Sequence, residues 1–194
     1  MCNRYRQVKT KENLSLIFDA KPVVDPPAEE IRTDIYPKYR SWIVRQEEDR
    51  RVLDHLPWGI PLALPSKTPG VKLKPKPITN VRNLTSNFWK STLAKPEWRC
   101  LVPFTAFAEP KQGMENWWFT IPSAEVSCFA GIWRPSEWGN VFAFLTCEPN
   151  PLAAPLHPKA MPVILQPEDY DRWLSGEDAT TMAVGFPSQL MAVE

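Results

Sequence analysis

The sequence predicts an α+β fold: a mostly antiparallel, barrel-like β-sheet core with a few short flanking helices. Three observations predict it. Short runs rich in aromatic and β-branched residues follow one another from Arg99 to Cys147. Helical periodicity is confined to three short stretches. Finally, 22 prolines stand against seven glycines over 194 residues, a ratio that favours short elements joined by rigid loops. No internal repeat and no interdomain linker is evident, so residues 1–194 read as a single domain, long enough for a sizeable core. Nine tryptophans and nine phenylalanines can fill it.

Thr10 to Asp19 reads as an amphipathic helix with Thr10 as N-cap and Leu14, Ile17 and Phe18 on one face. Pro22, Pro26 and Pro27 stop helix from continuing. Ser41 to Arg45 is a strand, Gln46 to Arg51 a charged turn, and Val52 to Pro57 the second hairpin arm. Ser66 to Pro77 is a proline-rich loop carrying the densest positive charge, from Lys67, Lys72, Lys74 and Lys76. Ser86 caps a helix to Leu93. Arg99 to Phe107 is an apolar strand ending in Ala108-Glu109-Pro110. Asn116 to Ile121, Ser127 to Trp133 and Asn140 to Cys147 are three further strands. A loop through His157 leads to Val163-Ile164-Leu165. Pro167-Glu168-Asp169 opens a helix through Leu174, with proline and acids in the first turn, and Gly176 ends it.

Composition bounds the function. Net charge is +1, so any nucleic-acid surface must be local. No apolar run reaches the roughly 18 residues of a membrane span, and charges interrupt any signal-peptide pattern. The cysteines Cys2, Cys100, Cys128 and Cys147 lack CxxC spacing, and only two histidines exist, so neither a metal nor another cofactor is expected. A cytoplasmic monomer with reduced thiols is the simplest reading.

The chemistry concentrates at the start of the chain, Met1-Cys2-Asn3-Arg4-Tyr5. If Met1 is removed, Cys2 carries an amine and a thiol on adjacent carbons, with pKa values of about 7.7–8.0 and 8.5. Such a pair can attack an acyl carbon. It can also condense with an aldehyde, the amine forming a Schiff base and the thiol closing a thiazolidine. Glu109, ending an apolar strand, suits a desolvated general acid/base. His157 lies in a proline-bounded loop and is equally readable as structural. Asn80 and Arg82 share one face of an extended segment: an amide to orient an amine, a guanidinium to grip phosphate. Trp58 beside the lysine loop offers a ring to bases, and Arg4 a second phosphate grip.

Met-Cys-x-Arg-Tyr, Asn80-x-Arg82, Arg99-Cys100-Leu101-Val102-Pro103 leading to Phe107-Ala108-Glu109, and His157 followed by Met161-Pro162-Val163-Ile164-Leu165 occur in one order. Together they resemble the SOS response-associated peptidase family, the abasic-site processing proteins, over nearly the whole chain. The resemblance implies an abasic-site sensor that binds single-stranded DNA and crosslinks through Cys2 as a thiazolidine. It makes Asn80 the residue that positions the amine, Glu109 the general acid/base and His157 the aid to Schiff-base formation. Arg4, Arg82, Trp58 and the four lysines become DNA contacts, and Met1 self-removal and strand cleavage become accessory activities. The sequence departs from the family pattern at Asn3, where glycine is common, at Asn83-Leu84-Thr85, which lacks an acid, and at Ala108 and Pro110 around Glu109. The His157 loop is one residue longer than usual. An N-terminal-nucleophile cysteine peptidase or amidohydrolase using Cys2, His157 and Glu109 is the alternative; a single-stranded DNA-binding module without chemistry is a third class.

Overall fold

Two sheets share one aromatic core; Asn80 pairs with the larger and Glu109 lies in the smaller. The computed structural model describes residues 2–63, 68, 70, 73–111 and 115–194. The larger sheet runs, in spatial order, through Met161–Pro162, Gly139–Cys147, Ser127–Ser136, Arg99–Phe104, Arg40–Glu47, Arg50–Pro57 and Ala20–Pro22. Ile164–Leu165 pairs with Ser127–Ser136, and Asn80–Val81 runs parallel to Gly139–Cys147. The smaller sheet orders Ala192–Val193, Asn116–Thr120, Ala106–Pro110, Arg4–Arg6 and Asp34–Ile35. Ile60–Leu62 and Lys76–Ile78 make a separate hairpin.

The α+β class holds, with mostly antiparallel sheets and a few short helices, and the barrel-like core is not a closed barrel: among the described strands each sheet is open. Both outer strands of the larger sheet contain a proline, Pro22 or Pro162. Proline offers no N–H for a further ladder, so it belongs at an edge.

The core lies between the sheets. Alternation along the Arg4–Arg6 strand turns Tyr5 inward, and its register partners Phe107 and, one strand on, Phe119 follow it. Phe107 and Phe119 stack with centroids 5.0 Å apart, and Phe104 stacks on Phe129 at 3.9 Å. Tyr5 meets Phe129 edge-on at 5.7 Å. Each such pair adds about 0.5–1.5 kcal/mol beyond the area it buries.

Several elements differ from expectation for local reasons. The first helix is Lys11–Phe18, and Thr10 does cap it, accepting from the Asn13 N–H; Leu14 and Phe18 are buried, but Ile17 is exposed. The charged turn is shorter than Gln46–Arg51, because the hairpin arms extend to Glu47 and from Arg50, with Glu48 in the left-handed region. The Arg99–Phe107 strand is two strands broken at Thr105. There the Thr105 N–H donates to the Arg6 carbonyl and the chain crosses between sheets. The end of the basic loop is a strand, Lys76–Ile78, where pairing with Ile60–Leu62 outweighs the effect of Pro77. Ser86 occupies the N-cap of Asn87–Leu93, but its side chain makes no capping bond. The Pro167 segment begins as a 3-10 turn before the α-helix Tyr170–Leu174. No helix among the described residues is long and apolar enough to cross a membrane.

Trp58 is the largest correction. It is fully buried, so its ring presents no face to a base. It stacks on Phe144 at 5.1 Å and meets Tyr5 edge-on at 5.2 Å, and its indole N–H donates to the Thr79 carbonyl at 3.0 Å. Its work is to anchor the segment that enters Asn80. Trp58→Ala is expected to cost about 3–5 kcal/mol in chemical denaturation, as large core truncations do. Trp58→Phe, which keeps a ring in place, should retain DNA binding; loss of binding by a folded Trp58→Phe protein would return the indole to the DNA surface.

Candidate active site

Four elements converge on Cys2. The Arg4–Arg6 strand fixes its position, pairing Arg4 with Ala108 on the neighbouring strand. Cys2 is fully buried, and its thiol donates to the Arg4 carbonyl at 3.4 Å. The Asn80–Val81 strand brings up the Asn80 amide, whose Nδ2 donates to the Cys2 carbonyl and to Thr79 Oγ1, both at 2.8 Å. Asn80 Oδ1 is buried, and no donor among the described residues bonds to it. An acceptor therefore remains on the very amide that holds residue 2.

Glu109 comes from the Ala106–Pro110 strand. Two residues on from Phe107, it shares that residue's inward face and is 1 % exposed. His157 comes from the loop after Cys147. Buried Asn150 builds that loop: its Oδ1 accepts from the N–H groups of Leu152 and Ala153, and its Nδ2 donates to the Phe186 carbonyl. The turn closes with the His157 N–H on the Ala153 carbonyl at 2.8 Å. His157 Nε2 then lies 3.4 Å from Glu109 Oε2.

The protonation states follow from the surroundings. Burial pushes the Glu109 carboxyl up to about 7. Burial lowers the His157 pKa, and the charges of Lys159 and Arg82 act in the same direction. His157 Nδ1 is 2.8 Å from the Ala160 carbonyl oxygen. A carbonyl can only accept, so Nδ1 carries the proton and a neutral ring presents a lone pair on Nε2 to Glu109. Below about pH 7 a protonated Glu109 faces an acceptor, and above it the carboxyl gives the proton up, which is an arrangement for holding and releasing one proton. Burial raises the Cys2 thiol pKa, and the Glu109 charge raises it further. At rest the sulfur is therefore a thiol and not a thiolate.

Arg82 shares the Asn80 face and pairs with Glu148 at 3.1 Å, 45 % exposed. Arg4 pairs with Asp34 at 2.8 Å. Lys74 and Lys76 are exposed, Lys76 in the hairpin arm leading toward Asn80. Lys67 and Lys72 lie outside the described residues, as does Met1. Cys2, Asn80, Glu109 and His157 are thus brought together, whereas Trp58 is not on the surface. The sequence reading missed Asp34, Asn150 and the neighbours of Arg4. Only the inward turn of Tyr5, which leaves Arg4 and Arg6 on the opposite face, signalled the last of these.

A family model described as SOS response associated peptidase (SRAP) matches residues 1–192. The chain belongs to the SRAP family. Membership supports a role associated with DNA damage. A comparison with curated proteins gives no match. Among solved structures, a Bordetella bronchiseptica protein is 22% identical with a TM-score of 0.76, over 99% of this chain and 98% of that one. A Bacteroides thetaiotaomicron protein is 16% identical with a TM-score of 0.78, over 99% and 90%. A phage-related protein from Bordetella bronchiseptica is 21% identical with a TM-score of 0.68, over 100% and 93%. At these identities the three show a shared fold. Asn80, Glu109 and His157 come from three separate elements of that SRAP fold, and Cys2 sits where the elements meet.

Proposed function

We propose that this SRAP protein captures abasic sites in single-stranded DNA through Cys2 after loss of Met1, forming a thiazolidine DNA–protein crosslink. The observation that carries the reading is the convergence on Cys2 of one amide and one proton-exchanging pair, Asn80 and Glu109–His157. The freed amine donates to Asn80 Oδ1 and is held with its lone pair outward. It attacks the ring-opened sugar aldehyde to give a carbinolamine. Glu109 delivers a proton to the departing hydroxyl, water leaves, and an iminium remains. The Cys2 sulfur then adds to the iminium carbon and its proton returns to Glu109. The balance is aminothiol plus aldehyde going to thiazolidine plus water.

The raised thiol pKa supports this order, with the amine acting first and the sulfur second. A thiol peptidase would instead need a thiolate at rest, which this environment opposes. Arg82 exchanges Glu148 for a flanking phosphate, Arg4 offers another phosphate the outward edge of a guanidinium held by Asp34, and Lys74 and Lys76 add local positive charge. The same iminium acidifies the adjacent sugar carbon, so strand cleavage by β-elimination is a side activity of the site, and loss of Met1 must precede both.

Denaturing gel electrophoresis tests the reading. An abasic single strand should give a covalent band with protein whose intact mass lacks Met1. The same strand with its aldehyde reduced to an alcohol should give none. A band of equal yield from the reduced strand, or full activity in protein that retains Met1, would overturn it.

A further inference from the structure

The outer face of the smaller sheet carries a ladder of cations and rings. With Tyr5, Phe107 and Phe119 turned to the core, alternation puts Arg4, Arg6 and Trp118 on the opposite face. Ala108 lies between Arg4 and Trp118 in the ladder, and it and Ala106 are buried beneath that layer. The Arg6 guanidinium sits 3.8 Å from the Trp118 ring centre and that of Arg4 4.8 Å from it. Arg4 also faces Tyr36 at 5.1 Å, Tyr36 meets Tyr39 at 5.7 Å, and Arg32 lies over Tyr39 at 5.8 Å. Asp34 Oδ1 accepts from both Arg4 and Arg6, at 2.8 Å and 3.3 Å. Tyr36 and Tyr39 are 38% and 45% exposed, and the Arg6 side chain 42%.

The geometry points to a stacking track on this face for the single strand flanking one side of the lesion. Alternating guanidinium planes and aromatic rings accept bases without regard to sequence, and the outward edges of the guanidinium groups can reach phosphate. The Arg4–Asp34–Arg6 clamp fixes two flexible side chains beforehand, which lowers the ordering cost of binding. Two guanidinium groups against one carboxylate leave the clamp positive, matching a phosphate backbone. The track lies on the strand that starts two residues after Cys2, and the inference rests on the capture proposal.

The test uses fluorescence anisotropy with strands bearing a reduced abasic site, which removes covalent capture from the readout. Three strands are compared: both flanks present, only the 5′ flank, and only the 3′ flank. Trp118→Ala and Arg6→Ala are each expected to weaken binding of the two-flank strand about tenfold or more. The loss should persist with one single-flank strand and vanish with the other. Trp118→Phe, which keeps a ring in the sheet, should stay within about threefold of the unmodified protein. Unchanged binding in both alanine variants overturns the track, and so does an equal loss on all three strands, since that would mark a fold defect. Crosslinking of the unreduced strand is run in parallel. Its absence in the unmodified protein would remove the capture proposal while leaving the flank comparison to decide the track.

Discussion

Cys2→Ala will lose the crosslink that survives denaturation, yet it will still be trapped on abasic DNA when borohydride is present. The two outcomes separate the two halves of the aminothiol. Alanine at position 2 leaves the amine, its neighbour Asn80 and the Glu109–His157 pair in place, so attack on the aldehyde and loss of water still proceed. Without sulfur the iminium has no intramolecular nucleophile to close on. It then hydrolyses back, is reduced by hydride to a stable amine, or loses a proton from the adjacent carbon and cleaves the strand. The variant should therefore show less stable crosslink and more strand cleavage than the unmodified protein. A form that retains Met1 has its amine on a residue without a thiol and can give no thiazolidine. Cys100 and Cys128 are fully buried and Cys147 nearly so, and replacing any of them by alanine should leave the stable band intact. Gel electrophoresis with and without borohydride reads all of this. A stable band at full yield from Cys2→Ala would overturn the role of the sulfur.

The site was more legible in the sequence than the surface around it. Glu109 and His157 each carry only a weak local signature, an acid ending an apolar strand and a histidine in a proline-bounded loop, and the order of motifs shared with the SRAP family is what singled them out. Their distance of 3.4 Å was not readable from either. It depends on Asn150 folding the loop back under Phe186, a contact between residues far apart in the chain. Trp58 shows the opposite case. Beside a basic loop a tryptophan resembles a stacking ring, but only tertiary packing reveals that Phe144, Tyr5 and the Thr79 carbonyl already occupy it. The strands from Arg99 to Cys147 were legible because composition and alternation agreed. The break at Thr105 was not, because the crossing between sheets is set by the Arg6 carbonyl. The openness of the larger sheet depended on which prolines fall at its edges, a matter of strand order and not of local pattern.

Glu109→Gln is expected to slow single-turnover crosslinking by about 10²–10⁴-fold, the usual worth of a positioned acid/base. Glutamine can still donate a hydrogen bond to His157 Nε2, but it cannot give up a proton and take it back. The reaction asks for that exchange three times: in opening the sugar ring, in expelling water from the carbinolamine and in accepting the thiol proton. His157→Ala should slow the rate to a similar degree, because the Nε2 lone pair is where the Glu109 proton is held between steps. The double variant should lose less than the product of the single losses, since both groups serve one proton. In the unmodified protein the rate should show a limb near pH 7, where Glu109 titrates, and Glu109→Gln should lack it. Stability carries an independent sign. The folded pKa of Glu109 lies above its ordinary value of 4.5, so between about 4.5 and 7 the folded chain binds the extra proton and stability falls as pH rises. Glu109→Gln removes that penalty. It should melt at a higher temperature than the unmodified protein at pH 8, and the difference should shrink toward pH 4. A variant that loses rate but shows no such pH-dependent gain in stability would place Glu109 outside the buried, protonated state argued here. One that keeps its rate within about threefold, a change of only about 0.65 kcal/mol, would leave Cys2 acting as a tethered aminothiol without a proton relay.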